Sequence, residues 1–129
     1  MEEFFTRDKA NEGIKLPLYL PTGEKSEHTM TILGVDSDEY HKAMITIKRS
    51  LFQVESSADI IEDKVERLKY LDGKQVENER IVIAALISDW SLEQECSTEN
   101  KLNFLTNAPQ IAEAINRAAC SRKLFFGKG

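Results

Sequence analysis

The first third of the chain contains two stretches in which apolar and polar side chains alternate. Apolar residues occupy every second position from 14 to 20, and His28, Met30 and Ile32 alternate with polar neighbours. This period of two is typical of strands with one buried face, and the intervening Pro-Thr-Gly-Glu at residues 21–24 is a turn sequence. The pattern therefore predicts a β-hairpin at about residues 14–33 whose even-numbered apolar face is covered.

Proline and exposed edges constrain how this hairpin is placed. Pro17 lacks a backbone N–H, so its strand is predicted to lie at a sheet edge. The strand from His28 to Ile32 then has a possible free edge, which favours self-association. Because an isolated hairpin is marginally stable in water, it must lie on helices or on another copy of itself.

After the hairpin, apolar residues recur at helical spacing. This spacing predicts four or five helices, and capping and helix-breaking residues mark where each one begins or ends. The predicted boundaries are an Asp36–Glu39 capping box, a second helix capped by Ser56 or Ser57 and ended or broken at Asp72-Gly73, a third from about Gln75 to Trp90, a fourth capped by Ser97 or Thr98, and a last one begun by Pro109.

A length of 129 residues suits one domain. The expected fold class is α+β and mainly helical, with an N-terminal β-hairpin followed by a bundle of four or five helices. Within the single domain 1–129 the hairpin covers about residues 14–33, the helices about residues 36–122, and a short basic tail residues 123–129.

Charge is distributed unevenly. The net charge is −5, yet residues 117–129 hold four basic and no acidic side chains, which leaves an acidic body. An acidic body repels phosphate, so nucleic acid is not expected as a partner. The basic tail either complements the dipole of the last helix or binds a partner. Apolar runs are too short for a membrane span and the N-terminus lacks a basic start, so we expect a cytoplasmic protein.

Catalytic and cofactor motifs are missing from the sequence. It has no phosphate-binding glycine loop, metallohydrolase motif, nucleophile elbow or CxxC pair. His28 and His41 lack a second ligand at metal-binding spacing, and Cys96 has no local base. Cys120, beside Ala119, is expected to be packed. We therefore predict no enzyme activity, no cofactor and no metal.

Five residues are candidates for partner binding: Trp90, Arg122, Lys123, Phe125 and Phe126. Tryptophan is enriched at binding hot spots, although Trp90 also completes the helical stripe from Ile83, which favours core packing. Adjacent residues of a helix point about 100° apart. We therefore expect one of the two phenylalanines to be packed and the other to be available.

Four stretches, taken in order, resemble the tail assembly chaperone family of long-tailed bacteriophages and prophages. They are LPTGE (20–24), ILGVDSDEYHKA (32–43), AALISDWSLEQECSTEN (84–100) and NAPQIAEAINRAACSRKLFF (107–126). The resemblance rests on the order of these stretches along the chain, and residues 56–78 contribute nothing distinctive to it.

The resemblance implies a non-enzymatic morphogenesis factor in the host cytoplasm. Such a protein binds the tape measure protein, assists assembly of the tail tube protein around it, and is absent from the mature virion. Two alternatives stay open from the sequence. One is a generic helical adaptor or regulatory protein with an unrelated protein partner, and the other is an enzyme that uses Cys96 or the histidines.

Overall fold

A computed structural model describes residues 1–126. It contains a three-stranded antiparallel sheet and, within this range, five α-helices, which confirms the mainly helical α+β class. The elements in chain order are α1 (Arg7–Glu12), β1 (Ile14–Tyr19), β2 (Lys25–Ile32), α2 (Asp38–Asp59), α3 (Lys64–Leu86), β3 (Ile87–Trp90), α4 (Thr98–Asn107) and α5 (Pro109–Cys120), with short 3-10 helices at Glu2–Phe4 and Arg122–Phe126.

The predicted hairpin is present as β1 and β2, and β1 with Pro17 lies at the sheet edge. Most of its even-numbered apolar residues are covered, although Leu20 in the turn is exposed. The expected free edge on the second strand is wrong, because β2 is the central strand and pairs with β3 on its other side. The pairing with β3 could not be predicted from the residues of β2, because its partner lies some sixty residues further along the chain.

The predicted third helix does not reach Trp90. Helix α3 ends at Leu86, and the next residue, Ile87, begins β3 with no loop between them. Met30 pairs with Trp90 and Thr31 with Asp89 across the β2–β3 ladder. Ser88 and Asp89 are poor helix formers, and the ladder satisfies the backbone groups that a longer helix would have used.

Helix starts differ from the predicted caps in two places. Ser37, not Asp36, caps α2, and the Ser37 hydroxyl accepts a hydrogen bond from the backbone N–H of Tyr40 at 3.3 Å. Ser56 and Ser57 cap nothing, since α2 continues to Asp59. Helix α3 is capped instead by Asp63, whose carboxylate accepts from the N–H groups of the next turn. Ser97 caps α4 and Pro109 begins α5, as predicted.

The predicted break at Asp72-Gly73 is also wrong. Helix α3 runs through both residues for 23 residues in all. A glycine inside a helix costs about 1 kcal/mol relative to alanine, which is too little to end a long helix that packs along a neighbour. Consequently α2 and α3 form one long antiparallel helical hairpin, where the sequence predicted three shorter helices.

The core occupies one end of the molecule. It is built from the inner face of the sheet, the last turn of α3, and helices α4 and α5; its fully buried large side chains are Met30, Ile32, Leu86, Ile87, Leu105 and Ile115. By contrast, the buried residues of α2 are only Ala43 and Ala58. The helical hairpin therefore extends beyond the core and is covered mainly by itself.

The connector between β2 and α2, residues 33–37, joins most of the other elements. The N–H of Leu33 donates to the Leu86 carbonyl at 2.8 Å, that of Gly34 to the Ala10 carbonyl at 3.0 Å, and that of Val35 to the Ala119 carbonyl at 3.2 Å. A Cβ at position 34 would lie 3.0 Å from the Ala10 Cβ. Only glycine therefore allows α1 to approach the connector this closely.

Replacing the α2 cap tests the corrected start of this helix. Ser37→Ala is expected to lower the free energy of unfolding by about 1 kcal/mol, because it leaves a helix N–H without its acceptor. Ser57→Ala is the matched control and is expected to cost nothing, since Ser57 is an exposed residue in the last turn of α2 and caps no helix. Urea unfolding followed by circular dichroism measures both. A larger loss for Ser57→Ala would contradict the observed boundary.

Candidate partner-binding surfaces

An open groove runs between α2 and α3. It has a volume of about 640 Å³ and a largely apolar lining, which includes Tyr40, Met44, Ile47, Leu51 and Val54 from α2 and Leu71, Val82 and Ile83 from α3. Glu55, Lys74 and Glu79 add charged groups to the lining. In a helical bundle these aliphatic side chains would pack against a third helix. Here they border solvent instead.

The outer sides of the same two helices also carry exposed apolar residues. On α2 the Phe52 side chain is 82% exposed, and Ile45 lies seven residues before it on the same face. On α3, Val65, Leu68 and Val76 are about half exposed. An exposed apolar surface of this extent is typical of a protein that binds another protein.

Trp90 stands apart from the groove, at the end of β3. Its indole N–H donates to the Gln94 carbonyl at 2.7 Å, and its ring meets Phe104 edge to face with centroids 5.8 Å apart. The helical stripe proposed for it is wrong, since the residue belongs to a strand. Its contacts hold the 91–97 loop and α4 against the sheet.

The four C-terminal candidates lie in the 3-10 helix Arg122–Phe126. Phe125 is buried at 6% exposure and its ring lies against Gly34, whereas Phe126 is 46% exposed. The expectation that one ring packs inward and the other stays available is confirmed. Lys123 is exposed. Arg122, Phe125 and Phe126 line one small recess with α1 and the connector, and Trp90 is not part of it.

Two bidentate ion pairs fasten this region. The Arg122 guanidinium donates to both carboxylate oxygens of Asp36 at 2.6 and 2.9 Å, and Arg7 does the same to Asp38 at 2.7 and 3.0 Å. The hydrogen bonds from Arg122 lower the pKa of Asp36 to about 2 despite its partial burial. The first helix and the last turn are thus both tied to the start of α2. Arg122 is therefore engaged within the chain.

The thiols and imidazoles form no reactive cluster in the part of the chain that the structure describes. Burial raises the pKa of the Cys96 thiol, which opposes the thiolate form. Cys120 is exposed, so the expectation that it packs is wrong; it lies on the outer face of α5 beside buried Ala119. His28 contacts the Ser91 hydroxyl at 3.3 Å. Among residues 1–126 no group of three potential metal ligands comes together.

Sequence reasoning missed the groove as a surface. Its residues were recognised as apolar stripes, but a stripe has the same spacing whether it is covered or open. The surplus of apolar residues outside the stripes, above all Ile45 and Phe52, indicated only that α2 has further exposed apolar surface outside the groove. A helix with apolar residues on two faces has more such surface than one neighbour can cover.

Comparison with known proteins finds no similar sequence or structure. Neither the protein-family models, nor the curated proteins, nor the solved structures yield a match to the chain. As for membranes, none of the helices within residues 1–126 combines the length and apolarity that a bilayer crossing requires.

Truncating each phenylalanine separately tests the packing of the C-terminal turn. Phe125→Ala is expected to reduce the free energy of unfolding by about 3 kcal/mol, because it empties a buried site against the connector. Phe126→Ala is expected to change it by less than about 0.5 kcal/mol. Denaturant unfolding measures both, and equal losses would contradict the observed orientation of the two rings.

The ion pair between Asp36 and Arg122 predicts an acid-dependent loss of stability. The folded-state pKa of Asp36 is about 2, whereas a free aspartate titrates near 4 in the unfolded chain. The pair therefore contributes fully above about pH 4, and its contribution falls as the pH drops toward about 2. The stability gap between the wild type and Asp36→Asn is expected to close over that interval.

Equilibrium unfolding at several pH values measures this gap. Glu113→Gln is the control, since Glu113 is an exposed residue of α5. A gap for Asp36→Asn that stays constant down to pH 2 would refute the role assigned to the pair.

Proposed function

We propose that the protein is a non-enzymatic tail assembly chaperone, which binds the tape measure protein of a long-tailed phage or prophage and assists assembly of the tail tube around it. It acts in the host cytoplasm and is absent from the mature virion. The observation that carries this proposal is the open apolar groove between α2 and α3, on a helical hairpin that projects from the core.

The groove has the open, mainly aliphatic character of a helix-binding site, and its volume is about 640 Å³. An amphipathic helix binds such a surface by laying apolar residues, spaced by three and four, onto the aliphatic floor. The charged groups of the lining, Glu55, Lys74 and Glu79, then meet the polar margin of the bound helix and set its orientation.

A tape measure protein suits this mode of binding because it is long and helical. One groove holds only a short helical segment, so a single contact is weak. Many copies along one partner add their effects through avidity and keep its apolar surface out of water. Such binding also stays reversible, as a factor that leaves before the virion is complete requires.

The ordered resemblance of four stretches to the tail assembly chaperone family supports the same conclusion. It adds the tail tube protein as a second partner. No motif for nucleotide binding, metal binding or nucleophilic catalysis occurs in the sequence, which is in keeping with a binding role.

Co-expression with the tape measure protein of the same genome tests the proposal. The wild type is expected to keep that protein soluble and to co-purify with it, whereas Leu51→Asp places a charge in the groove and is expected to reduce the recovered complex at least tenfold. Phe52→Asp is the matched control on the neighbouring residue, since Phe52 lies outside the groove lining. Its complex is expected to persist.

Two results would contradict this account. A wild-type protein that neither binds the tape measure protein nor raises its solubility would refute the function. Loss of binding in Phe52→Asp with full binding in Leu51→Asp, both with unchanged circular dichroism, would place the binding surface on the opposite side of α2.

A further inference from the structure

The charges that line the α2–α3 groove are unequally neutralised. The lining contains two carboxylates, Glu55 on α2 and Glu79 on α3, and one ammonium group, that of Lys74. Within residues 1–126 neither carboxylate forms an ion pair, whereas the Lys74 Nζ lies 3.3 Å from Oε2 of Glu77. The groove therefore presents an excess of unpaired negative charge.

Lys74 is held by groups outside the groove. Its Nζ also lies 5.7 Å from the centre of the Tyr70 ring, within the range of a cation–π contact. Tyr70 and Glu77 both line a separate recess between the same two helices, and neither lines the groove. The positive charge of Lys74 is therefore largely compensated by groups that a partner in the groove does not touch.

Glu55 lacks a basic neighbour on its own helix. Ion pairs along a helix form between residues three or four positions apart. At these spacings from Glu55 the chain has Leu51, Phe52, Ala58 and Asp59, none of which is basic. Asp59 instead adds a second acid one turn further along α2, so this end of the helix is negative.

Glu79 is in the same situation on α3. The residues three or four positions from it are Gln75, Val76, Val82 and Ile83, and again none is basic. Its Oε1 accepts a long hydrogen bond of 3.5 Å from the Gln75 side-chain amide. Like the carboxylate on α2, that of Glu79 is exposed and available to a cation of a bound partner.

The other cations of the two helices do not line the groove. The Arg67 guanidinium donates to the Ile61 carbonyl at 3.2 Å, and Arg80 lines a recess that faces α4. Lys48 lies seven residues, or about two turns, from Glu55. The acidic character of the groove thus comes from its own two walls.

The two acids stand on opposite walls and at different levels. Tyr40 of α2 and Ile83 of α3 both line the groove where it meets the core. Glu79 lies four residues from Ile83, and Glu55 lies fifteen residues from Tyr40. At about 1.5 Å per residue the two acids are therefore about three turns, or roughly 16 Å, apart along the helical hairpin.

We propose that the groove selects a helix whose apolar stripe is flanked by basic residues, one on each margin and about three turns apart. Lysine or arginine at these places meets Glu55 and Glu79, whereas a helix with acidic margins faces like charge. The stripe itself can have any aliphatic sequence, because the groove lining is largely apolar. This inference rests on the proposed function, since it states the chemistry of the client segment that the groove holds.

Two synthetic helical peptides test the selection on the purified full chain. Both carry the same stripe of leucines at spacings of three and four residues, and their margins carry lysines in one peptide and glutamates in the other. Each exposed ion pair contributes little, but attraction in one peptide and repulsion in the other add together, so the lysine peptide is expected to bind about tenfold more tightly in low salt. Fluorescence anisotropy of the labelled peptides measures both affinities.

Ionic strength checks that the preference is electrostatic. At about 1 M salt the screening length falls to about 3 Å, so the two affinities are expected to differ by less than about twofold. A preference that is unchanged in high salt would contradict the role of Glu55 and Glu79. This comparison uses the wild type alone and depends on no variant.

Charge reversal locates the selection in the groove. In the double variant Glu55→Lys/Glu79→Lys the preference is expected to invert, so that the glutamate peptide binds more tightly. The matched control is Glu93→Lys/Glu113→Lys, which changes the net charge equally at two exposed acids outside the groove lining. Its preference for the lysine peptide is expected to persist, and circular dichroism checks that both variants fold.

Each other result overturns the inference. Equal binding of the two peptides, tighter binding of the glutamate peptide, or binding of neither by the wild type would do so, as would a control variant that loses the preference as the groove variant does. Co-expression decides the proposed function separately. A chain that holds the tape measure protein without preferring the lysine peptide refutes only this inference, and a chain that prefers the lysine peptide but leaves the tape measure protein insoluble refutes only the function.

Discussion

The connector at residues 33–37 is the feature on which the rest of the structure depends. Within five residues it receives the end of α3 through Leu33, helix α1 through Gly34, helix α5 through Val35, and the C-terminal turn through Asp36. Each of these links satisfies a backbone or carboxylate group that would otherwise be costly to remove from water. The connector therefore fixes both the closure of the core and the direction in which α2 leaves it.

That direction separates the molecule into a packed core at one end and a projecting helical hairpin at the other. Around the sheet, the large apolar side chains are fully buried and provide most of the free energy of folding. Along α2 the buried residues are two alanines, so this helix gains little from the core and is held by α3, its cap and the ion pairs at its start. An exposed hairpin is tolerated because the other end supplies the stability.

The groove and the outer side of the helical hairpin differ in shape and chemistry. The groove is concave and mainly aliphatic, which favours a rounded apolar helix of unspecified sequence. The outer side of α3 differs, because its half-exposed Val65, Leu68 and Val76 stand among charged side chains.

The sequence alone determined the fold class, the hairpin, the start of α4 at Ser97 or Thr98, the start of α5 at Pro109, and that only one of Phe125 and Phe126 packs inward. These features depend on local spacing, turn chemistry and helix geometry, all of which are set by residues close together in the sequence. Tertiary structure alone decided that Ile87–Trp90 is a strand, that α3 passes through Gly73, and that Asp36 pairs with Arg122 instead of capping a helix. It also decided that the α2 stripe borders an open groove. In each of these cases the outcome depends on a group distant along the chain, or on the absence of a covering neighbour, and no local pattern of residues encodes either.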